Sequence, residues 1–283
     1  MGQRVLIIGA GLAGLTAARA LTSRGVSVVV LDKGRRPGGR MATRRLGEAT
    51  FDHGAQFFTV RSPEFAALMA EWPVREWCRG FSGDDGHPRF IAPGGMNSIT
   101  GQMARGLDVR CEVQVTKLAP MMDGFDSAIL TAPVPQSLAM LDEPVPELEA
   151  IEYDRCLALM LRNAEQDLPS PGAIQTLDGE PVSWIADNHA KGVSGEPRAI
   201  TIHAGPEFSL RHWETPEEDV VALLATGSFT EYKLHRWKFA KPRVLYPERC
   251  YRRGNIVFAG DAFGEARVEG AVLSGLAAAE ALD

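Results

Sequence analysis

The chain contains no cysteine pair at CxxC spacing. Cys78, Cys111, Cys156 and Cys250 lie far apart, and none sits at metal-ligand spacing from a histidine, so neither a dithiol redox centre nor a metal site is expected. Scattered thiols suit a reducing cytoplasm. No stretch approaches the ~20 apolar residues that a membrane helix needs, and the apolar run after Arg4 ends at Gly9, too short for the core of a secretory leader. Cations are not in excess either: the formal net charge is -6 and the isoelectric point about 5.6. Phosphate tracking and adsorption to anionic lipid both need surplus Lys and Arg. Neither nucleic acid nor membrane is therefore an expected partner. Internal repeats and low-complexity segments are lacking as well.

What is present is the composition of a globular enzyme: 283 residues, 45% hydrophobic and 23% charged, enough for one large domain or two interleaved ones. Val5 to Ile8 is a continuous apolar run of the sort buried on both faces of a parallel sheet. Residues 12–24 read as an alanine-rich helix ended by Gly25, and Ser27 to Leu31 as a β-branched strand finishing at Asp32. The turn between the first strand and the helix is Gly9-Ala10-Gly11-Leu12-Ala13-Gly14. In that setting Gly9 allows a tight turn, Gly11 lets a pyrophosphate approach the backbone, and Gly14 lets helix and strand pack closely. The N–H groups that open the helix, at Leu12 and Ala13, present partial positive charge to phosphates. Asp32 can accept from both ribose hydroxyls. This unit fits FAD and NAD alike.

The loop that follows narrows the choice. Lys33-Gly34-Arg35-Arg36-Pro37-Gly38-Gly39-Arg40 is basic and glycine-rich, and Met41-Ala42-Thr43 and Asp52-His53-Gly54-Ala55-Gln56-Phe57-Phe58-Thr59 come after it. Gly38-Gly39-Arg40 resembles the second fingerprint of the amine oxidase branch of glutathione-reductase-type FAD proteins. Taken with residues 41–43 and 52–59, it resembles the renalase family, a subgroup of that fold. The resemblance implies that Lys33, Gly39, Arg40 and Met41 lie along FAD, with the arginine at the pyrophosphate. It also implies that His53, Gln56, Phe57 and Phe58 belong to a stretch beneath the isoalloxazine, where His53 and Gln56 are candidates for the reactive edge. By its residue type alone, His53 fits a structural hydrogen bonder.

On the same terms Val115, in a strand expected over 109–118, meets the adenine side, and Ala132 closes a strand over 127–132 beside the cofactor. Gly260-Asp261, after the buried strand Ile256 to Ala259, meets the ribityl phosphate region. Glu269, Gly270 and Ala271 open the last helix, expected over 270–282, under the flavin pyrimidine. His235-Arg236-Trp237 resembles a basic-aromatic pair on the substrate side, where Trp237 stacks on a planar substrate and Arg236 meets a phosphate or carboxylate. An amphipathic edge strand fits the same three residues, and core packing fits Val115.

The expected fold is α/β: a glutathione-reductase-type FAD-binding Rossmann domain of residues 1–60, 94–135 and 245–283, with an inserted α+β substrate domain of residues 61–93 and 136–244. Within and beside the insert the patterns predict a helix over 61–80, turns over 81–95, a helix over 97–105, strands over 157–161, 182–185, 200–203 and 229–237, and a helix over 217–224. The resemblance implies noncovalent FAD, hydride transfer from a small reduced substrate such as a dihydronicotinamide dinucleotide, NAD(P)H, and oxygen as acceptor. No cysteine follows Cys250 and no tyrosine follows Tyr251, which leaves a covalent flavin link and a C-terminal aromatic cage unsupported. The insert and the stretch from Gly80 to Pro93 are short for the family. An amine oxidase or desaturase, a non-catalytic flavin-binding protein and an NAD-dependent dehydrogenase therefore stay open as alternatives.

Overall fold

The structure, a computed structural model, describes residues 2–79, 86–176 and 179–283. β1 (Arg4–Ile8), α1 (Leu12–Ser23) and β2 (Ser27–Leu31) form the opening βαβ unit, followed by a hairpin of β3 (Thr43–Leu46) and β4 (Ala49–Asp52). Next come α2 (Pro63–Met69), a second hairpin of β5 (Arg75–Arg79) and β6 (Pro88–Ile91), α3 (Asn97–Met103) and β7 (Asp108–Arg110). β8 (Ser127–Leu130) leads through the short helices α4 (Val134–Leu138) and α5 (Pro146–Glu149) to β9 (Tyr153–Arg162), β10 (Ala173–Gln175), β11 (Val182–Asp187) and β12 (Ile200–Ala204). α6 (Pro206–Arg211) and α7 (Glu217–Leu224) precede the long β13 (Glu231–Pro242), and β14 (Tyr251–Arg253), β15 (Ile256–Phe258) and α8 (Val268–Glu280) follow.

The strands make two main sheets. The first has the order β14-β15-β8-β1-β2-β7 and is parallel apart from β14. Its central strands are covered on both sides, which is why Val5–Ile8 and Ser127–Leu130 are apolar with little alternation. Val5, Ile7 and Ile129 face α1 and α8 through Leu15, Ala18 and Val272, while Leu6, Ile8 and Leu130 face Val134, Leu148 and Phe258. Each such side chain taken from water contributes about 1.5–3 kcal/mol. The second sheet, β10-β11-β12-β9-β13, is antiparallel throughout. Leu157, Leu159 and Leu161 of β9 pack on Val220, Val221 and Leu224 of α7. Met160, on the opposite side of β9, packs on Ala49 and Phe51 of the first hairpin, which follows β2 in the chain and so leads from the first sheet onto the second.

Several expectations are corrected. The helix expected over 61–80 stops at Met69, and residues 75–79 pair with 88–91 instead. Pro73 lies between the two elements and removes a helical donor. Of the turns expected over 81–95, residues 80–85 lie outside the described residues and Pro88–Ile91 is strand. The strand expected over 109–118 is only Asp108–Arg110, because Glu112 turns the backbone to φ 60° and the chain leaves the sheet edge. Strand β8 ends at Leu130, two residues before Ala132. β10, α4, α5 and α6 were not expected, and β13 runs on to Pro242. No helix among the described residues is long and apolar enough to cross a membrane.

Candidate active site

The turn after β1 gives its three glycines three different stereochemical duties. Gly9 adopts φ 113°, which an L side chain rarely takes. A β-carbon on Gly14 would lie 2.0 Å from the Gly9 carbonyl oxygen, so this glycine sets the helix against the strand. A β-carbon on Gly11 would meet nothing within 4 Å, because Gly11 faces a cavity of about 1910 Å3. The cavity opens at the carboxyl ends of β1, β2 and β8, the usual ligand crevice of a parallel sheet. Gly11 caps α1 without a side chain, and Leu12 and Ala13 line the cavity, so the helix start meets it with backbone alone.

Asp32, at the end of β2, accepts from the Ala10 N–H at 2.7 Å and from the Gly34 N–H at 2.6 Å. A carboxylate has further lone pairs, so Asp32, which lines the cavity, can still accept from hydroxyls. The loop of residues 38–40 closes over the turn: the Gly38 N–H donates to the Ala10 carbonyl at 2.9 Å, and Gly39 comes close to Gly11. Arg40 then donates both arms of its guanidinium to Asp261, at 2.7 and 2.5 Å. This ion pair ties the early loop to the motif after β15. Lys33, Gly39, Met41, Val115, Ala132, Gly260 and Ala271 line the same cavity.

At its other end the cavity is floored by the second sheet. The register sets His203 of β12 and His235 of β13 on either side of Ala158 of β9, and Trp237 next to Cys156 in the neighbouring row. His53, just after β4, lies over them, 5.0 Å from the His235 ring and stacked at 5.5 Å on Trp237. The Trp237 indole N–H donates to the His53 carbonyl at 2.8 Å, and His203 Nε2 lies 3.2 Å from the same oxygen. An acceptor there requires the proton of neutral His203 on Nε2. Burial, then His235, Arg44 and His203, pull His53 down to about 3. Burial lowers His203 and His235 to about 4 each, with Lys191 adding to the effect at His203 and Arg44 and Lys233 at His235. All three imidazoles are therefore neutral at pH 7. Burial pushes the Cys156 thiol up to about 12, so it supplies no thiolate.

Other expected site residues do not line the cavity. Gly14 and Gly270 are packing positions, a β-carbon on Gly270 lying 2.1 Å from the Glu265 carbonyl. Phe57 lies tilted against Trp184, and Phe58 packs among Phe65, Trp72 and Phe90. Glu269 is buried and accepts from the N–H groups of Arg61 and Ser62, so it is a backbone clamp. Arg236 does border the cavity, but its guanidinium is engaged elsewhere. It sits on the opposite face of β13 from His235 and Trp237, and its guanidinium donates to the carbonyls of Trp213 at 3.1 Å and Thr215 at 2.7 Å.

Gln56 stands one layer behind the histidines, in a buried network that sequence reading missed. Its amide nitrogen donates to the Asp52 carbonyl at 2.7 Å, and its oxygen accepts from the fully buried Lys191 ammonium at 3.1 Å. Lys191 also lies 3.5 Å from the Asp52 carboxylate. Thr201 of β12 donates to the Asp52 carbonyl and Asn188, just after β11, accepts from the Asp52 N–H, so the second sheet holds the end of β4 and the segment after it. A lysine in a polar loop carries no sequence mark of burial.

Comparison with known proteins places this geometry. Residues 7–72 match an NAD(P)-binding Rossmann-like domain, and residues 131–283, more than half of the chain, match the flavin containing amine oxidoreductase family. The chain belongs to the flavin-containing amine oxidoreductase family. It is 28% identical over 152 residues to coproporphyrinogen III oxidase of Mycobacterium leprae (strain TN), covering 53% of this chain and 32% of that protein. It is 32% identical over 126 residues to putrescine oxidase of Kocuria rosea, covering 44% of this chain and 26% of that protein. The matched segments thus span under a third of those relatives' lengths. In fold it is similar to a putative protoporphyrinogen oxidase from Exiguobacterium sp. 255-15, with a TM-score of 0.73 at 13% identity over 100% of this chain and 99% of that one. Cyclohexylamine oxidase from Brevibacterium oxydans IH-35A gives a TM-score of 0.72 at 14% identity with the same coverage.

The family implies FAD, and the residues present fit it. Gly11 leaves space where a side chain would stand, α1 meets the cavity with uncapped backbone, and His53 Nδ1 is buried beside the cavity without a hydrogen-bond partner.

Proposed function

We propose that this family member is an FAD-dependent oxidoreductase that moves a hydride from a small reduced substrate to noncovalently held FAD, with oxygen as the final acceptor. The observation that carries the reading is the continuity of the cavity. One space of about 1910 Å3 runs from the open Gly11 turn to the floor of His235 and Trp237, larger than the ~300–1,000 Å3 of an ordinary ligand pocket. It has room for a dinucleotide and a substrate together. When bound, FAD supplies the two-electron acceptor. The chain holds and orients: Leu12 and Ala13 at the phosphates, Asp32 at the ribose, and Trp237 and His53 as an aromatic floor against which a planar group packs. Neutral histidines suit a hydride step, which needs no protein acid or base.

The glutathione-reductase-type assignment is supported by the parallel β8-β1-β2 core with α1 beginning at its carboxyl edge. The division into residues 1–60, 94–135 and 245–283 against 61–93 and 136–244 is supported by the sheets, since strands of the first all fall in the former set and strands of the second in the latter. The finer reading is renalase-like, with a dihydronicotinamide dinucleotide as substrate. The motif Gly38-Gly39-Arg40 with residues 52–59 supports it, because Arg40 closes the cofactor end and His53 the substrate end of one cavity.

Purified protein reconstituted with FAD is expected to be yellow and to release all flavin on acid precipitation. Anaerobic mixing with dihydronicotinamides is expected to bleach the flavin. Failure to retain FAD sinks the oxidoreductase reading, and bleaching by amines alone sinks the renalase-like one.

A further inference from the structure

The cavity is basic in an acidic protein. Its lining holds eleven Lys or Arg against three Asp, although the whole chain carries a net charge of -6. Two of the three aspartates are engaged, Asp261 by Arg40 and Asp32 by backbone N–H groups. Lys33, Arg35, Arg36 and Arg40 sit at the dinucleotide turn, where phosphates are expected. Arg44 does not belong with them. It lies on β3 opposite Phe51, on the face of the hairpin that packs on β9, and its charge acts on both His53 and His235.

Arg44 is half-buried and lines the cavity, yet among the described residues its guanidinium makes no hydrogen bond or ion pair. The groups its charge acts on, His53 and His235, are neutral imidazoles and give a guanidinium no counter-charge. A partly desolvated cation with no partner is unfavourable unless something else completes it. Lys238 and Lys241 of β13 line the same cavity and form no ion pair among the described residues either. Such a site repels a cationic amine and attracts an anion.

We propose that Arg44 anchors the substrate, and that the substrate carries a carboxylate or phosphate group which Arg44 grips while the oxidisable part lies on the Trp237 and His53 floor. The inference rests on the oxidoreductase reading for its cofactor, but it commits the site to anionic substrates. The planar fork of arginine suits bidentate contact with either anion.

The test is calorimetric titration of FAD-loaded protein, at low and at physiological salt, with NAD+ as a phosphate anion, coproporphyrin III as a carboxylate anion and putrescine as a dication. The expected result is that at least one anion binds, that added salt weakens it, and that Arg44→Ala weakens it by about tenfold to a hundredfold while FAD retention and the thermal midpoint hold. Arg44→Lys keeps the charge without the fork and is expected to fall between. Which anion binds separates the phosphate source from the carboxylate one. The proposal is overturned if neither anion binds, if anion affinity is unchanged in Arg44→Ala, or if putrescine binds more tightly than both. Loss of FAD in Arg44→Ala with anion binding intact also overturns it. Should that variant not fold, Arg44→Gln carries the same comparison. Loss of FAD from the unaltered protein counts instead against the oxidoreductase reading.

Discussion

Gly11 and Gly14 stand three residues apart and respond differently to the same added methyl group. On Gly14 a β-carbon would stand 2.0 Å from a backbone oxygen, so helix and strand must part. Gly14→Ala is expected to lower stability by about 1–3 kcal/mol or more, as overpacking does, and FAD retention with it. On Gly11 the methyl meets only open cavity, so Gly11→Ala should keep its denaturation midpoint while FAD affinity falls by about tenfold. Equal midpoints for both variants would refute the separate duties. Lys191 offers a second residue-level test. It is fully buried beside Asp52 and Gln56, and removing one partner of such a pair leaves the other charge uncompensated. Lys191→Met is expected to cost about 3–5 kcal/mol in chemical denaturation. A Lys191→Met, Asp52→Asn double variant that is no better than the single one would show that charge is not the cause.

At the level of elements, β13 decides which of its side chains serve the site. Strand alternation aims His235 and Trp237 into the cavity, whereas Arg236 only borders it and turns its guanidinium to the carbonyls of Trp213 and Thr215. Arg236→Met is therefore expected to lower stability by about 1–3 kcal/mol and leave KM unchanged, whereas Trp237→Phe, which loses the bond to the His53 carbonyl, should alter turnover. A large rise in KM for Arg236→Met at unchanged stability would return Arg236 to the substrate. The same alternation explains what the sequence made legible. The opening βαβ unit was readable because a doubly covered strand, a helix and three glycines each leave a distinct pattern, and α7 was readable from its period. Residues 111–118 misled because Val113 and Val115 bury one side while only single bonds, from the Glu112 and Val113 N–H groups to the Gly34 and Asp32 carbonyls, tie them to the chain beside them; alternation reports a buried side, not a regular ladder. Residues 75–79 hide their strand pairing behind charged, exposed side chains. The cofactor end of the site was legible for the same reason as β1 and α1. Asn188, Lys191 and Thr201 were not, since their role exists only once the second sheet folds against the segment 52–56, over a hundred residues earlier in the chain.

For the molecule as a whole, the joint between the β3-β4 hairpin and the second sheet sets how stability depends on pH. His53, His203 and His235 meet there, and burial holds them at about 3, 4 and 4, whereas unfolded histidine titrates near 6.5. The unfolded chain therefore binds protons that the folded one refuses. Their contribution is whole above about pH 6.5 and is lost progressively as pH falls toward the folded values. Between about pH 6.5 and 5 most carboxylates remain ionised, so the histidines dominate the slope in that window. One histidine wholly neutral in the fold changes stability by at most about 1.4 kcal/mol per pH unit. Denaturant midpoints are expected to fall steadily from pH 7 to 5. His235→Gln should flatten that fall, because a side chain that does not titrate binds no proton in either state. A flat profile for the unaltered protein would mean that the three rings can take up protons where they stand, and that the joint opens to water before the fold gives way.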